Sequence, residues 1–305
     1  MHKRLKTALI VASFLTAGGA LSAQPAAAQP ADATSVKPVF AQGSMNVFRR
    51  FPAEIRAKMI DYYGTVLGLQ ALTPIQVNAN LQMILFRVGG GGQIKLATGL
   101  TPGRKYHPGG DINDATGIRL YTLTFPDEAA LTERFTAAGY PAPAFKDIGG
   151  GRRAALVQDP GGFNLELVID PKASPQTTGG VEVGINVSDL QKSRAFYRDF
   201  VGLDELPPVK DAFLGVTKYP YRHGETTIAL WSVGKDLPAD TGSAGVQYVI
   251  SNIDAVNANA MARHIAVETP LGGVPGFNIR TVWLNDPDGV TDYFYQLGAP
   301  PAPAK

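Results

Sequence analysis

Apolar and polar residues alternate over several short stretches of the chain, and this alternation predicts β-strands. In the segment 181–187, valine or isoleucine occupies every second position, with Glu182 and Asn186 among the residues between them. A period of two is typical of a strand that has one buried face. Other segments with strand character are 226–231, 245–250, 280–284 and 291–296.

A helix is predicted directly after the strand 181–187. Ser188 or Asp189 can cap its first turn, and Gly202 stands where a left-handed residue commonly ends a helix. A further helix is predicted over about 253–263, with His264 at its C-terminus. The elements therefore follow an order of strand, helix and strands.

Two motifs occur twice, which indicates an internal duplication. The sequence YYGTVLGL at 62–69 corresponds to FYRDFVGL at 196–203, 134 positions later, and DPGG at 159–162 corresponds to DPDG at 286–289, 127 positions later. Two motifs with nearly equal offsets predict two related domains. Each domain is expected to contain two βαβββ-like halves.

The duplication divides the chain into predicted regions. The segment between the repeats is rich in Pro, Ser, Thr and Gly, as is typical of a linker. The predicted regions are a signal peptide at 1–28, a flexible segment at 29–43, a first domain at 44–170, a linker at 171–179, a second domain at 180–297 and a flexible tail at 298–305.

The first 28 residues have the order of features found in a secretory signal peptide. Lys3, Arg4 and Lys6 precede an apolar run at 8–22, and small residues follow at 26–28. The apolar run is too short for a typical membrane span, which needs about 20 residues. We therefore expect a periplasmic or secreted protein without a membrane anchor after cleavage, and the alternative is an uncleaved N-terminal anchor.

Composition and charge narrow the possible functions. The 305 residues are 45% hydrophobic and 18% charged, which is typical of a globular protein. Because cysteine is absent, disulfide scaffolds, thiolate metal sites and cysteine nucleophiles are excluded. Cleavage of the signal peptide changes the formal net charge from +2 to −1, so nucleic acid is not expected as a partner.

The repeated motifs resemble those of the vicinal oxygen chelate (VOC) superfamily. This superfamily includes glyoxalase I, bleomycin-resistance proteins and extradiol dioxygenases. The resemblance implies an α+β fold of two tandem domains, in which paired βαβββ modules form half-open barrels around a small-molecule ligand. Four modules in one chain are compatible with a monomer or a homodimer.

Metal-binding members of the superfamily place up to four ligands on the inner face of the barrel, and most of the matching positions here hold other residue types. The matching positions are Phe48, Lys95, the region 119–121 and Glu166 in the first repeat, and Glu182, Ala229, the region of Gly245 and Tyr293 in the second. Only Glu166 matches its expected carboxylate. His107 and His223 fall in predicted loops rather than on these strands. No cofactor is predicted, although a divalent metal stays open as an alternative.

Strand alternation places Lys95 and Glu166 on faces opposite to their apolar neighbours. In the arrangement that the resemblance implies, both point into the first chamber and lie close enough to form an ion pair. One interpretation is a purely structural pair. In the other, Lys95 polarises a carbonyl or enolate of the substrate and Glu166 moves a proton.

Further candidate ligand-binding residues follow from the same alternation. Arg119 and Tyr121 are candidates for an anion clamp in the first chamber, and the alternative for Arg119 is a surface salt bridge. The second chamber is predicted to bind an organic molecule between aromatic side chains or, alternatively, to be an ordinary aromatic core. Its candidate residues are Glu182, Trp231, Gln247 and Tyr293.

Three functions are compatible with these residues. The first is binding of a small aromatic or oxygenated molecule without a tightly held metal, with or without lyase or isomerase chemistry at Lys95 and Glu166. The second is a metal-dependent glyoxalase or extradiol dioxygenase with an atypical ligand set. The third is a sequestering protein without turnover.

Overall fold

The computed structural model describes residues 36–78, 81–173, 180–234 and 236–298. The predicted signal peptide, most of the predicted linker and nearly all of the predicted tail lie outside these residues. Within the described ranges, no helix is both long enough and apolar enough to cross a membrane.

The first repeat contains two modules of strands with a helix inserted. The first module consists of β1 (Asn46–Phe51), α1 (Arg56–Asp61), β2 (Ala71–Asn78), β3 (Leu81–Val88) and β4 (Gly92–Thr98). The second module consists of β5 (Thr116–Phe125), α2 (Glu128–Ala137), β6 (Lys146–Gly149), β7 (Arg152–Gln158) and β8 (Asn164–Ile169). A short 3-10 helix, Ala53–Ile55, precedes α1.

The second repeat follows the same order of elements, with two additional short strands of two or three residues. Its third module consists of β9 (Glu182–Asn186), α3 (Leu190–Ala195), β10 (Asp204–Glu205), β11 (Val209–Asp211), β12 (Val216–His223) and β13 (Thr226–Trp231). The fourth module consists of β14 (Ala239–Asp240), β15 (Ala244–Val249), α4 (Ile253–Ala262), β16 (Val267–Gly273), β17 (Ile279–Asn285) and β18 (Thr291–Leu297).

The four modules form two curled sheets, and each sheet takes one module from each repeat. The first sheet has the strand order β16-β17-β18-β15-β1-β4-β3-β2, so it joins the fourth module to the first. The second sheet has the order β10-β12-β13-β9-β5-β8-β7-β6 and joins the third module to the second. The predicted α+β fold of paired βαβββ modules in two half-open barrels is confirmed.

One face of each sheet belongs to a shared hydrophobic core. Ile94 and Leu96 of β4 and Leu165 and Leu167 of β8 are buried in the same cluster. Their burial confirms the face assignment predicted from alternation, because Lys95 and Glu166 consequently lie on the opposite faces. Those opposite faces carry the two cavities described below.

The repeated motifs form equivalent helix ends. Both α1 and α3 continue into a π-helical turn, Tyr62–Val66 and Phe196–Phe200 respectively. Gly202 then adopts a left-handed conformation with a φ of 82°, as predicted for a helix C-terminus. His264, with a φ of 54°, takes the same conformation after α4.

The described part of the segment expected to be flexible is attached to the fold. Phe40 forms a β-bridge with Ile250, and its ring stacks on His223 at 3.9 Å between ring centroids. The amide of Val39 donates a hydrogen bond to Oδ1 of Asn252 at 2.8 Å. Residues 36–43 are therefore packed against the second repeat. The alternation pattern did not indicate this packing, which depends on the apolar side chain of Phe40.

Candidate functional site

The first sheet carries a cavity of about 320 Å³ on its face away from the shared core. Its lining is mainly apolar and aromatic, with two cationic side chains and one amide. The residues that line it include Phe48, Arg50, Lys95, Gln247, Trp283, Tyr293 and Tyr295. They come from β1, β4, β15, β17 and β18, so the cavity is formed by the first and fourth modules together.

Lys95 is the buried amine of this cavity. The residue is only 9% exposed, and its Nζ lies 5.6 Å from the centre of the Tyr295 ring. Within the described ranges, no carboxylate pairs with this amine and no hydrogen bond holds it. Burial lowers the pKa of Lys95 from 10.5 to about 8, because removal from water disfavours the ammonium form.

Aromatic rings form a continuous surface beside Lys95. Tyr293 stacks on Tyr295 with ring centroids 5.8 Å apart, and it meets Trp283 edge-on at 5.0 Å. Burial raises the pKa of Tyr293, and hydrogen bonding by Thr281 and Gln247 opposes this shift. The side chain of Gln247 also accepts a hydrogen bond from Nδ2 of Asn46 at 3.2 Å. These contacts fix the orientation of the rings.

Arg50 is a cavity residue that the sequence interpretation missed. Its guanidinium lies 5.7 Å from the Phe48 ring centre and 5.8 Å from that of Trp283. Burial lowers the pKa of Arg50, although Tyr106 and Glu268 oppose the shift. Alternation along β1 could have revealed this residue. Arg50 lies on the same face of the strand as Phe48, and Phe48 occupies one of the superfamily's ligand positions.

The second sheet carries a larger and more charged cavity of about 720 Å³. At its centre the ammonium of Lys218 lies 2.7 Å from Glu182, 2.8 Å from Asp211 and 3.6 Å from Glu166. Oγ1 of Thr122 also donates a hydrogen bond to Glu166 at 2.7 Å. A single cation is thus shared by three carboxylates.

The pKa shifts in this cluster reflect burial opposed by ion pairing. Burial alone would lower the pKa of Lys218, but the attraction of Glu182, Glu166 and Asp211 outweighs it and raises that pKa. Burial raises the pKa of Glu166, with Lys218 and Thr122 acting in the opposite direction. Lys218 was missed from sequence because its strand, β12, was not predicted.

The predicted pairing of Lys95 with Glu166 is wrong. Lys95 lies on β4 of the first sheet, whereas Glu166 lies on β8 of the second. Each side chain points into a cavity as expected, but the two cavities are different because each sheet joins modules from different repeats. The cation that neighbours Glu166 is Lys218.

Arg119 and Tyr121 do not form the predicted anion clamp. The Arg119 guanidinium is fully buried and donates hydrogen bonds to the carbonyls of His107, Gly109 and Asp111, which anchors the preceding loop. It forms an ion pair with Asp240 at 3.8 Å, but both side chains are buried, so the alternative of a surface salt bridge is also wrong.

Tyr121 faces the shared core. Its hydroxyl donates a hydrogen bond to the carbonyl of Phe48 at 2.7 Å, and its ring packs edge-on against Phe163 at 4.9 Å. The register shift between Ile118 and Leu120 on β5 explains the error, because a bulge changes which residues share a face.

The four residues assigned to a second chamber separate into three groups. Gln247 and Tyr293 lie in the cavity of the first sheet together with Lys95. Glu182 lies in the charged cavity of the second sheet, where Lys218 is its partner. Trp231 is 1% exposed and packs with Leu120 over Gly184 in a small apolar cluster. Its role is therefore the alternative one, filling an aromatic core.

The residues at the superfamily's metal positions do not fit a metal ion. In the first sheet these positions hold Phe48, Lys95, Gly245 and Tyr293. A Cβ atom on Gly245 would come 2.1 Å from the Phe48 ring, so this ring covers the strand where a ligand would stand. In the second sheet, Glu166 and Glu182 already share the Lys218 ammonium. The described residues contain no group of three or more acidic or histidine side chains arranged to hold a metal ion.

A sequence profile of the Glyoxalase/Bleomycin resistance protein/Dioxygenase superfamily matches residues 56–167 and 181–291. The two matches coincide with the two repeats and cover more than half of the chain. The chain therefore belongs to this superfamily, as the repeated motifs indicated.

Comparison with individual proteins gives glyoxalase-type relatives. A lactoylglutathione lyase from Arabidopsis thaliana is 26% identical over 193 residues, which are 57% of this chain and 65% of the relative. The match thus spans less than two thirds of the length of that relative. The structure of glyoxalase I from Zea mays has a TM-score of 0.63 and 19% identity, covering 83% of this chain and 92% of that chain. At this identity the likeness establishes a shared fold.

Proposed function

We propose that this protein is an exported, glyoxalase-like VOC protein that binds a small aromatic or oxygenated molecule in the cavity of the first sheet, without a resident metal. The observation that carries the proposal is the aromatic surface of Trp283, Tyr293 and Tyr295 beside the buried amine of Lys95. Cavities of roughly 300–1,000 Å³ with apolar walls and a few polar groups are typical small-molecule sites.

The chemistry available in this cavity centres on one amine. With a pKa of about 8, Lys95 can donate a hydrogen bond or a proton to a ligand oxygen near neutral pH. Glu166 cannot accept a proton from the same ligand, because it lies in the cavity of the other sheet. If the protein catalyses a lyase or isomerase reaction here, Lys95 acts without the glutamate that the sequence suggested.

Binding can be tested by titrating the mature protein with small aromatic compounds while its tryptophan fluorescence is recorded. Trp283 lines the cavity and Trp231 does not, so ligand-dependent quenching should disappear in Trp283→Phe and persist in Trp231→Phe. Quenching that survives in Trp283→Phe, or no quenching by any compound at millimolar concentration, contradicts the proposal. A fusion of residues 1–28 to a reporter tests export separately.

A metal-dependent lyase is the second candidate, and the Arabidopsis relative favours it. Its test is elemental analysis of protein purified without chelator, combined with an assay for turnover of lactoylglutathione. Stoichiometric metal that is lost in Glu166→Ala or Glu182→Ala, together with turnover, would replace our proposal. Ligand binding without turnover would instead identify a sequestering protein.

A further inference from the structure

Two cations face the cavity of the first sheet from neighbouring strands. The parallel strands β1 and β4 pair Phe48 with Lys95 and Arg50 with Ala97, so Arg50 and Lys95 are diagonal neighbours on one face. Both side chains line the same cavity. Their charges are therefore available to a single bound molecule.

Neither cation has a carboxylate partner among the described residues. Their close neighbours are aromatic rings: Tyr295 for Lys95, and Phe48 and Trp283 for Arg50. The carboxylate that acts electrostatically on Arg50, raising its pKa, is that of Glu268. The carboxylate of Glu268 is already held by Arg104 at 3.4 Å and by hydrogen bonds from Asn285 and Thr291.

The cavity of the second sheet shows how the same fold neutralises a buried cation. There, Lys218 has three carboxylates within 3.6 Å. A buried charge without a partner is costly, because desolvation is not repaid by Coulomb attraction. The first cavity therefore lacks a negative charge that the second cavity supplies from its own side chains.

We propose that a ligand supplies this charge: the cavity binds a small aromatic carboxylate, with its carboxylate held by Arg50 and Lys95 and its ring against Trp283 and Tyr293. This inference rests on the proposed function and specifies its ligand class. Arginine presents paired donors that match the two oxygens of a carboxylate, and lysine adds a point charge. The volume of about 320 Å³ suits a ligand of one or two rings.

The experiment compares acids with amides of the same shape. The affinities of 3-phenylpropanoate and 3-phenylpropanamide, and of benzoate and benzamide, are measured by calorimetry at pH 7. We expect each acid to bind at least about tenfold more tightly than its amide. The preference should fall to near unity in Lys95→Met and Arg50→Gln, and should be unchanged in Lys192→Met, which removes an exposed lysine on α3.

The possible outcomes separate this inference from the function on which it rests. If amides bind as well as acids and both variants keep wild-type affinity, the carboxylate site is wrong while aromatic binding stands. Absence of binding by all four compounds overturns the carboxylate site, and the fluorescence titration with other aromatic compounds then decides whether the proposed function stands. A preference for acids that persists in both variants places the anion outside this cavity and also overturns the inference. If Lys95→Met does not fold, the affinities of Arg50→Gln for the acids and amides still test the inference.

Discussion

The hydroxyl of Tyr63 donates a hydrogen bond to Oδ2 of Asp159 at 3.2 Å. The second repeat contains the same contact between Tyr197 and Asp286, at 3.0 Å. The two motifs that revealed the duplication therefore bind each other, one from the helix end and the other from the turn before the last strand. In each turn the aspartate also accepts backbone hydrogen bonds from residues two and four positions later.

Removal of either tyrosine hydroxyl should destabilise the fold. We expect Tyr63→Phe and Tyr197→Phe each to lower the free energy of unfolding by about 1–3 kcal/mol, because a buried carboxylate loses a donor. Asp159 keeps a second donor in Arg49 at 3.0 Å, so the loss should be smaller for Tyr63→Phe. Urea unfolding measures both values, and equal stability of both variants and the wild type would contradict this role.

Lys95→Met should stabilise the ligand-free protein near neutral pH. A lysine whose pKa falls from 10.5 to about 8 on folding binds its proton less well in the folded state, so it destabilises the fold below pH 8. The variant should gain up to about 3 kcal/mol at pH 7, and the gain should shrink as the pH rises from about 8 towards 10.5. Thermal unfolding of both proteins across this range tests the sign.

The equivalent change in the second cavity should have the opposite effect. Lys218→Met leaves Glu166, Glu182 and Asp211 without their shared cation, and we expect a loss of about 3–5 kcal/mol at pH 7. Protonation of the carboxylates should reduce this loss at pH 4 to 5. If Lys95→Met and Lys218→Met shift the unfolding midpoint in the same direction, the charge assignment of the two cavities is wrong.

Asp286 should make the protein less stable as the pH rises. Burial and the neighbouring Asp288 raise its pKa, despite hydrogen bonds from Val290 and Tyr197. The folded state thus holds a proton that the unfolded state releases above about pH 4, and stability falls from there through the raised pKa. Asp286→Asn should reduce this dependence in unfolding measured between pH 4 and 9, and Asp292, whose pKa is also raised by burial, should account for the slope that is left. If the variant keeps the pH dependence of the wild-type stability, Asp286 is not the group responsible for it.

Carboxylate binding in the first cavity should weaken as the pH rises through about 8, where Lys95 loses its proton in the ligand-free protein. The titratable and charged groups that line the cavity with it are Arg50 on β1 and Tyr293 and Tyr295 on β18. Tyr106, Glu268 and Arg104 in turn act on the charge of Arg50. Burial raises the pKa of both tyrosines, so they stay neutral in this range. Calorimetry in buffers of different ionisation enthalpy should detect proton uptake on binding, which Lys95→Met should abolish.

Local features of the chain could be predicted from the sequence because they depend on residues that are close together in the sequence. The strand alternation correctly placed Lys95 and Glu166 opposite to their buried neighbours, and Asp189 caps α3 as one of the two predicted residues. Where the local pattern was irregular, prediction failed. The bulge on β5 displaced Arg119 and Tyr121, and β12, with Lys218, was not recognised.

The sequence by itself determined the duplication, the superfamily and the inward face of most strands, since these follow from motifs and from a period of two. Only the tertiary structure decided which module pairs with which. Alternation states which face of a strand is buried, but it carries no information about the partner strand. The antiparallel pairing of β1 with β15 joins Phe48 to Gly245 across most of the chain. This pairing separates Lys95 from Glu166 and brings Lys95 together with Gln247 and Tyr293.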